Sequence, residues 1–294
     1  MTPNFRTYLG NQRYRNFLVL VVIALSIPLT VIIALKQQEI RSRASEPNLK
    51  VAFIGDQGSG STADAVLNLI KNEGAQMVIH SGDFDYSSNP TNWDAKITNI
   101  LGSNFPYFAS IGNHDTDAWT GYQQKLKERL SRVLGASCSG DLGVQSACKY
   151  KGLFFLLVGA GTKGTGHDTY IKDQLQSDNS TWTVCSWHKN QNAMQIGGKP
   201  DEAGWAVYEE CRRGGGIIAT AHEHSYERTK TLVNTQTQTV DPSCTSSNAL
   251  CVDPGRTFVF VSGLGGKSIR DQNRCLPSTF PYGCKGEWAS IYTT

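Results

Sequence analysis

The chain has 294 residues, with 28 Lys/Arg against 25 Asp/Glu and an apolar fraction of 39%. That length holds one large domain or two small ones around a sizeable core. Residues 1–48 carry six of the basic residues and only two acids, which leaves 22 basic and 23 acidic residues beyond them. A body so close to neutral lacks the basic stripe of a nucleic-acid-binding surface, so no nucleic-acid partner is expected.

Phe17 to Leu35 is nineteen residues without a charge. As a helix it spans about 28 Å, close to the ~30 Å hydrocarbon core of a bilayer. Arg6, Arg13 and Arg15 precede it and Lys36, Arg41 and Arg43 follow it, so the flanking charges tie and set no orientation. A cleavable signal peptide has a shorter apolar region and a small-x-small cleavage site, and Ala34-Leu35-Lys36 is a poor one. The expectation is a basic tail over 1–16, an uncleaved transmembrane signal anchor over 17–35, a polar tether over 36–48 and one folded domain over 49–294. Secretion after cleavage is the alternative.

All eight cysteines lie beyond residue 130, and an even count suits an oxidising compartment outside the cytoplasm. Cys138/Cys148, Cys244/Cys251 and Cys275/Cys284 are locally spaced around polar, Gly/Ser/Pro-rich sequence and read as loop staples. Cys185 and Cys211 fall inside a predicted strand and a predicted helix, where buried thiols and a fourth bridge fit equally well. A zinc-binding set is disfavoured because no Cys-x-x-Cys spacing occurs.

In chain order, Lys50–Gly55 is the first predicted strand, and Asp56-Gln57-Gly58-Ser59-Gly60-Ser61 turns into a helix over 62–73. A strand over 76–81 follows, then a helix over 91–101 opened by Asn89-Pro90-Thr91, a strand over 107–112 and a helix over 118–134. Leu153–Gly159 is a strong apolar strand, followed by a helix over 168–177 and a strand over 182–187. A helix over 201–213 opens on Pro200-Asp201-Glu202, and strands follow over 216–221, 257–262 and 288–292. Short apolar runs alternating with helices predict a largely buried sheet in an α/β fold. Residues 229–256, polar and rich in Thr, Ser and Asn, read as a long surface excursion.

Chemistry-bearing residues stand at the predicted strand ends: Asp56; Asp83 and Tyr86; Asn113 and His114; His188; His222 and His224. Each has an ordinary structural explanation when taken alone. Asp56 could cap the next helix, Asn113-His114-Asp115 could be turn chemistry, and His188 could be a core histidine. Jointly those explanations fail, because four of the six histidines in the chain sit at strand ends and acids or an amide fill the others. Carboxylate and imidazole ligands converging on the carboxyl edge of a sheet, where such folds place their ligands, suit iron, zinc or manganese. His80 reads as packed against the sheet and His167 as a loop residue. Gly55-Asp56-Gln57-Gly58-Ser59-Gly60 has its glycines in the wrong order for a dinucleotide fingerprint, and Gly266-Lys267-Ser268 lacks the glycine a P-loop needs at Val261. No Gly-x-Ser-x-Gly occurs, which leaves a serine hydrolase unsupported.

The ordered set Gly55-Asp56-x-Gly58, Gly82-Asp83-x-x-Tyr86, Gly112-Asn113-His114-Asp115, His188 after an apolar strand and His222-x-His224 resembles the calcineurin-like metallophosphoesterases. The resemblance covers roughly residues 50–267 and is closest to the purple acid phosphatase branch: Gly58 stands where other relatives carry a histidine ligand, and Tyr86 is present to replace it. It implies a sandwich of two mixed β-sheets flanked by helices. It further implies two metal ions bridged by Asp83, one held by Asp56, Tyr86 and His224, the other by Asn113, His188 and His222, with His114 donating a proton to the leaving group. Ala221 replaces the usual glycine before His-x-His, and the further histidine of the family has no counterpart over 189–199, where Lys189 or Lys199 is the expected phosphate contact.

The expected reaction is hydrolysis of a small phosphate monoester, because two metals stabilise both the attacking and leaving oxygens and acidify a bound water. With Asp56, Asp83, phenolate Tyr86 and one hydroxide ionised, the ligand charge is about −4, so an Fe³⁺ at the Tyr86 site with a divalent Fe, Zn or Mn leaves a positive centre for phosphate. The alternatives are a phosphodiesterase or nucleotidase on the same site, and a tethered binding protein with a degenerate centre, whose signature would be a missing ligand. Oligomeric state stays open.

Overall fold

The structure, a computed structural model, describes residues 48–294 together with Asn16, Phe17, Val19, Val21, Val22, Ser26 and Ile27. The expected tail, anchor and tether therefore fall almost entirely outside the described residues. Among the described residues no helix is long and apolar enough to cross a membrane. Residues 1–44 and 45–294 form separate compact units, and everything below concerns the second.

Its scaffold is two stacked sheets. Strands β1 (Val51–Ile54), β2 (Met77–His80) and β3 (Tyr107–Ala109) make a wholly parallel sheet. Helix α1 (Ser61–Asn72) crosses from β1 to β2, and α2 (Pro90–Leu101) from β2 to β3. Asn89 caps α2 by accepting the Asn92 N–H at 3.1 Å, and Pro90 fills its first position, where the missing N–H costs nothing. After α3 (Trp119–Leu130), an eight-stranded mixed sheet, with β13 (Trp288–Tyr292) at one edge, runs in the order β13-β9-β12-β8-β7-β6-β5-β4. Its inner strands are β6 (Leu153–Val158), β7 (Trp182–Ser186), β8 (Ile217–Thr220) and β12 (Val259–Ser262), each parallel to the next, while the strands outside them pair antiparallel.

β6 shows why this sheet lies in the middle. Its Leu153, Phe155 and Leu157 join the core between the two sheets, while Phe154, Leu156 and Val158 face α4 (His167–Ser177) and α5 (Trp205–Arg213). Period-two alternation with both sets apolar is the mark of a strand buried on both faces. The inter-sheet core is aromatic: Phe108 meets Phe155 edge-on at 4.6 Å, and Phe53 meets Phe260 at 5.0 Å. Helices α1, α2 and α3 cover the outer face of the small sheet through Leu67, Trp93, Ile97, Tyr122 and Leu126.

Several elements depart from expectation for local reasons. A hairpin of β4 (Ser137–Asp141) and β5 (Gln145–Tyr150) extends the large sheet. β4 is exposed and polar throughout, so no alternation announces it. Cys138 and Cys148 are register partners in that hairpin and are disulfide-bonded. The two other local pairs are bridged as well, and Cys185–Cys211 forms a fourth bridge that ties β7 to α5. Strand β9 (Tyr226–Thr229) leads into the polar stretch 229–256 read as a surface excursion, and β10 (Leu232–Asn234) and β11 (Thr239–Val240) lie within it. There Thr229, Thr231, Thr235 and Thr257 are fully buried. His167 begins α4 and is buried, instead of lying in a loop. Helix α5 starts at Trp205, four residues late, because Asp201 accepts the Asn192 N–H at 2.7 Å and Glu202 is engaged elsewhere.

At the join of the two sheets, a Cβ on Gly55 would lie 2.2 Å from the Cβ of Ala221, with the next neighbour at 3.4 Å. Ala221 is therefore accommodated by the absence of a side chain at Gly55. Gly55→Ala is expected to cost about 1–3 kcal/mol as an overpacking change, and Ala221→Gly in the same chain should recover most of that loss. Urea unfolding of the two single variants and the double variant reads the coupling; additive effects would contradict the contact.

Candidate metal centre

Five of the parallel strand ends deliver residues to one rim. β1 leads to Asp56, β2 to Asp83 and Tyr86, β3 to Asn113, β7 to His188, and β8 to His222 and His224. Six of the expected ligands meet there, and Asn113 is carried to the same rim by its neighbour His114, whose N–H donates to Asp83 Oδ1 at 2.9 Å. Tyr86 Oη donates to Asp56 Oδ1 at 2.8 Å and lies 3.2 Å from His224 Nε2, which is 3.3 Å from the same Asp56 oxygen. On the other side, Asp83 Oδ2 is 3.2 Å from His188 Nε2, and His188 Nε2 is 3.0 Å from His222 Nδ1. Asp56 Oδ2 accepts the His222 backbone N–H at 2.8 Å, which joins the small sheet to the large one directly across the site.

The backbone is held in unusual conformations to achieve this. Asp56, Asp83, Tyr86 and His222 have φ of 55°, 60°, 56° and 70°. Left-handed non-glycine residues cost roughly 1–3 kcal/mol each and persist only where surrounding contacts over-determine them. Around Asp83 and Tyr86, two carboxylates supply those contacts. Asp115 accepts the N–H groups of Gly112 (2.7 Å), Phe84 (2.8 Å) and Asp83 (2.9 Å), which locks the ends of β2 and β3 together. Asp85 accepts from Ser87 N (2.9 Å), Asn89 N (3.1 Å) and the Tyr122 hydroxyl, which turns Tyr86 inward. Gly112 is glycine because a Cβ there would sit 2.2 Å from Asp83 Oδ1. His80 is buried beneath, edge-on to Phe84 and stacked on Tyr107, and takes the Gly82 N–H on Nδ1 at 3.2 Å.

Electrostatics favour an ionised Asp83 and a neutral His222 but a protonated His188. Burial opposes ionisation of Asp83, but the His188 charge and hydrogen bond and the His114 N–H at 2.9 Å outweigh it, holding the carboxyl below its ordinary range. Burial, with His188 and Lys199 nearby, pulls His222 well below 6.5. Against burial, Asp83 and Asp56 lift His188 to about 9. Burial first, then Asp56 and Asp83, raise the Tyr86 phenol far above 10, so ionising it requires a cation in front of it.

The donor set fits metal ions. Asn113 Oδ1 is buried with no hydrogen-bond partner among the described residues, a carbonyl oxygen aimed at nothing the protein supplies. Ligand atoms of Asp83, His188 and His222 all lie within 4.8 Å of one another. His114, by contrast, is exposed at the rim, with its ring 4.5 Å from that of Tyr86. A second cluster, Cys275, Cys284 and Glu287, is no rival because its two sulfurs are bonded to each other.

Neither lysine expected to contact phosphate is free. Lys189 Nζ pairs with Glu202 Oε1 at 2.6 Å, and Lys199 Nζ donates to the His222 carbonyl. Sequence reasoning missed Glu202, whose other oxygen lies 3.0 Å from His222 Nε2, and it missed the loop after β12. There Lys267 N donates to the Asp56 carbonyl at 3.0 Å, and Ser268 Oγ bonds His224 Nδ1. The position of Gly266-Lys267-Ser268 after a strand was the available signal.

A family model described as calcineurin-like phosphoesterase matches residues 49–226. Among solved structures, purple acid phosphatase PPD1 from yellow lupin (Lupinus luteus) seeds is similar at TM-score 0.51 and 16% identity, over 79% of this chain and 46% of that chain. A structure of PhoD is similar at TM-score 0.50 and 12% identity, over 78% of this chain and 59% of that one. At these identities the likeness is one of fold, and the chain spans about half the length of the two structures. Comparison with curated protein sequences gives no significant match.

Glu227 in β9 lies beneath the His224 segment, takes the Ser225 hydroxyl at 2.8 Å and the Ile196 N–H at 3.3 Å, and is fully buried. Burial pushes its carboxyl up to about 8 from 4.5. The folded chain therefore holds a proton there that the unfolded chain releases, and stability should fall as pH rises from about 4.5 to about 8. Urea unfolding at pH 5 and pH 8 should show this decline, and Glu227→Gln should flatten it; an unchanged slope in that variant would contradict the assignment.

Proposed function

Because the chain belongs to the calcineurin-like phosphoesterase family, whose model spans residues 49–226, we propose that it hydrolyses phosphate esters, monoesters foremost, with two metal ions. The family implies metal ions, and the observation that supports a paired site is the convergence of candidate ligand residues from five strand ends on Asp56 and Asp83. Asp56, Tyr86 and His224 would hold one ion, Asn113, His188 and His222 the other, and Asp83 would touch both. The phenol of Tyr86, ionisable only against strong positive charge, supports Fe³⁺ at its site and a divalent Fe, Zn or Mn ion at the other. When bound, the pair supplies Lewis-acid stabilisation of the attacking and leaving oxygens and acidifies a water.

The chain's own side chains do the remaining work. His114 donates a proton to the leaving oxygen; it is exposed to incoming substrate, and its backbone is pinned to Asp83. Lys199, drawn down to about 8 by burial and the nearby Arg270, still carries its charge at neutral pH beside the His222 carbonyl. Lys189, paired with Glu202, holds that carboxylate against His222. A binding protein with a degenerate centre fits less well, since no expected ligand is missing. The four disulfides support a domain outside the cytoplasm, secreted or anchored through the apolar stretch over 17–35.

Elemental analysis of purified protein with a panel of phosphate mono- and diesters across pH tests this reading. Two metals per chain and faster monoester than diester turnover are expected; reversed preference would favour a phosphodiesterase. Iron at the Tyr86 site predicts a visible phenolate-to-metal absorption that Tyr86→Phe abolishes, and a colourless, iron-free, fully active enzyme would overturn it. His114→Ala should retain metal and lose about 10²–10⁴-fold in turnover, most for esters with poor leaving groups. Equal loss for good and poor leaving groups would count against the proton-donor role.

A further inference from the structure

A histidine binds metal through one ring nitrogen, and the partner of its other nitrogen decides whether a lone pair is on offer. His188 Nδ1 lies 2.7 Å from the Ser81 carbonyl, which only accepts, so Nδ1 there carries a proton. His224 Nδ1 meets the Ser268 hydroxyl, which donates or accepts and so fixes nothing. His222 differs from both. Its Nδ1 faces the cluster, 3.0 Å from His188 Nε2, and its Nε2 lies 3.0 Å from Glu202 Oε2. That carboxylate oxygen is buried and makes no aligned hydrogen bond among the described residues. A carboxylate oxygen and a ring lone pair repel at such a distance, so the contact is favourable only with the proton on Nε2. Glu202 is fixed in place from several sides. Its N–H donates to the Asn190 carbonyl at 3.0 Å, and Asp201 before it accepts the Asn192 N–H at 2.7 Å. The N–H groups of Ala203 and Gly204 after it both reach Gln191 Oε1, at 2.9 and 2.8 Å. Lys189, next to His188 in the chain, takes the other carboxylate oxygen at 2.6 Å. One ion pair therefore joins the segments that carry both imidazoles expected at the second ion.

We propose that Glu202 is a positioning residue for the second ion: it holds His222 in the tautomer with the proton on Nε2, which leaves Nδ1 free for metal, and Lys189 keeps the carboxylate turned to that task. This rests on the paired-metal reading above and concerns its Asn113, His188 and His222 side. Glu202 acts only through His222. An amide at position 202 cannot serve both neighbours. The Lys189 ammonium is a donor only and claims the amide oxygen, so the NH₂ group turns to His222 Nε2 and drives the imidazole proton to Nδ1, the nitrogen that metal needs. With the lysine removed as well, the amide is free to turn and present its oxygen to His222.

The test follows Zn²⁺ uptake by the metal-free full chain, in competition with a chromophoric chelator, for wild type, Glu202→Gln and the double variant Lys189→Met with Glu202→Gln. Wild type should take up two ions. Glu202→Gln should bind one of them about 10–100-fold more weakly, the usual loss when the outer partner of a ligating histidine is changed, and hold the other as before. The double variant should recover most of that loss. A merely structural role for the ion pair gives the opposite result, because removing Lys189 as well would loosen the site further. A double variant no better than Glu202→Gln, or a Glu202→Gln that binds Zn²⁺ as wild type does, overturns the proposal. Long-range nitrogen–proton correlation spectra of the metal-free chain, labelled at histidine, read the tautomer itself. His222 should carry its proton on Nε2 in wild type and on Nδ1 in Glu202→Gln; the same tautomer in both overturns the proposal. A wild type that takes up a single Zn²⁺ yet shows this change of tautomer would refute the paired centre and leave the role of Glu202 standing.

Discussion

The buried carboxylate of Asp83 is the constraint on which the rest of the site depends. It lies between His188 on one side and the Tyr86–Asp56 pair on the other, and its charge reaches both. A carboxylate nearly removed from solvent is expensive unless opposite charge and hydrogen bonds meet it. The protein meets it in part, through the His114 N–H and through His188. What it does not supply is a partner for Asn113 Oδ1, or enough positive charge to ionise Tyr86. Those two deficits, on a rim built from five strand ends, are what make bound metal the natural completion.

Holding such a cluster requires rigid supports, and these are spread through the fold. Asp115 gathers three backbone N–H groups and ties the left-handed turn after β2 to the end of β3. Burial and the neighbouring Asp83 push the Asp115 carboxyl up to about 7, opposed by those same donors. Asp56 reaches across to the His222 N–H, so the two sheets cannot shift independently without breaking the site. Glycines at 55, 82 and 112 permit the close approach: a Cβ on Gly82 would come within 2.9 Å of His188 Nδ1. Packing, strain and chemistry are therefore one problem at this rim, consistent with strained backbone collecting where function is performed.

Much of this was legible from residue order alone. Parallel strands place their carboxyl ends on one edge, so residue order alone puts Asp56, Asp83, Tyr86, Asn113, His188, His222 and His224 at a common rim. β6, apolar at every position, marked the middle of the stack. What escaped was whatever polar pattern disguised. β4 has no buried residue, and β9 was hidden inside a ligand motif. Glu202 looked like the opening of a helix until Asp201 and Gly204 placed it in a loop facing His222. Lys267 was set aside because its motif fails as a P-loop; only the three-dimensional return of β12 beside β8 brings it to Tyr86. Cys185 and Cys211 sit on a strand and a helix whose contact no local spacing reveals.

The most direct measurement is anomalous diffraction from crystals of the purified, metal-loaded protein at the iron, zinc and manganese absorption edges. Two peaks are expected at the rim, one among Asp56, Tyr86 and His224, one among Asn113, His188 and His222, with Asp83 reaching both. A single peak, or metal bound away from these strand ends, would contradict the paired centre from which the proposed chemistry follows.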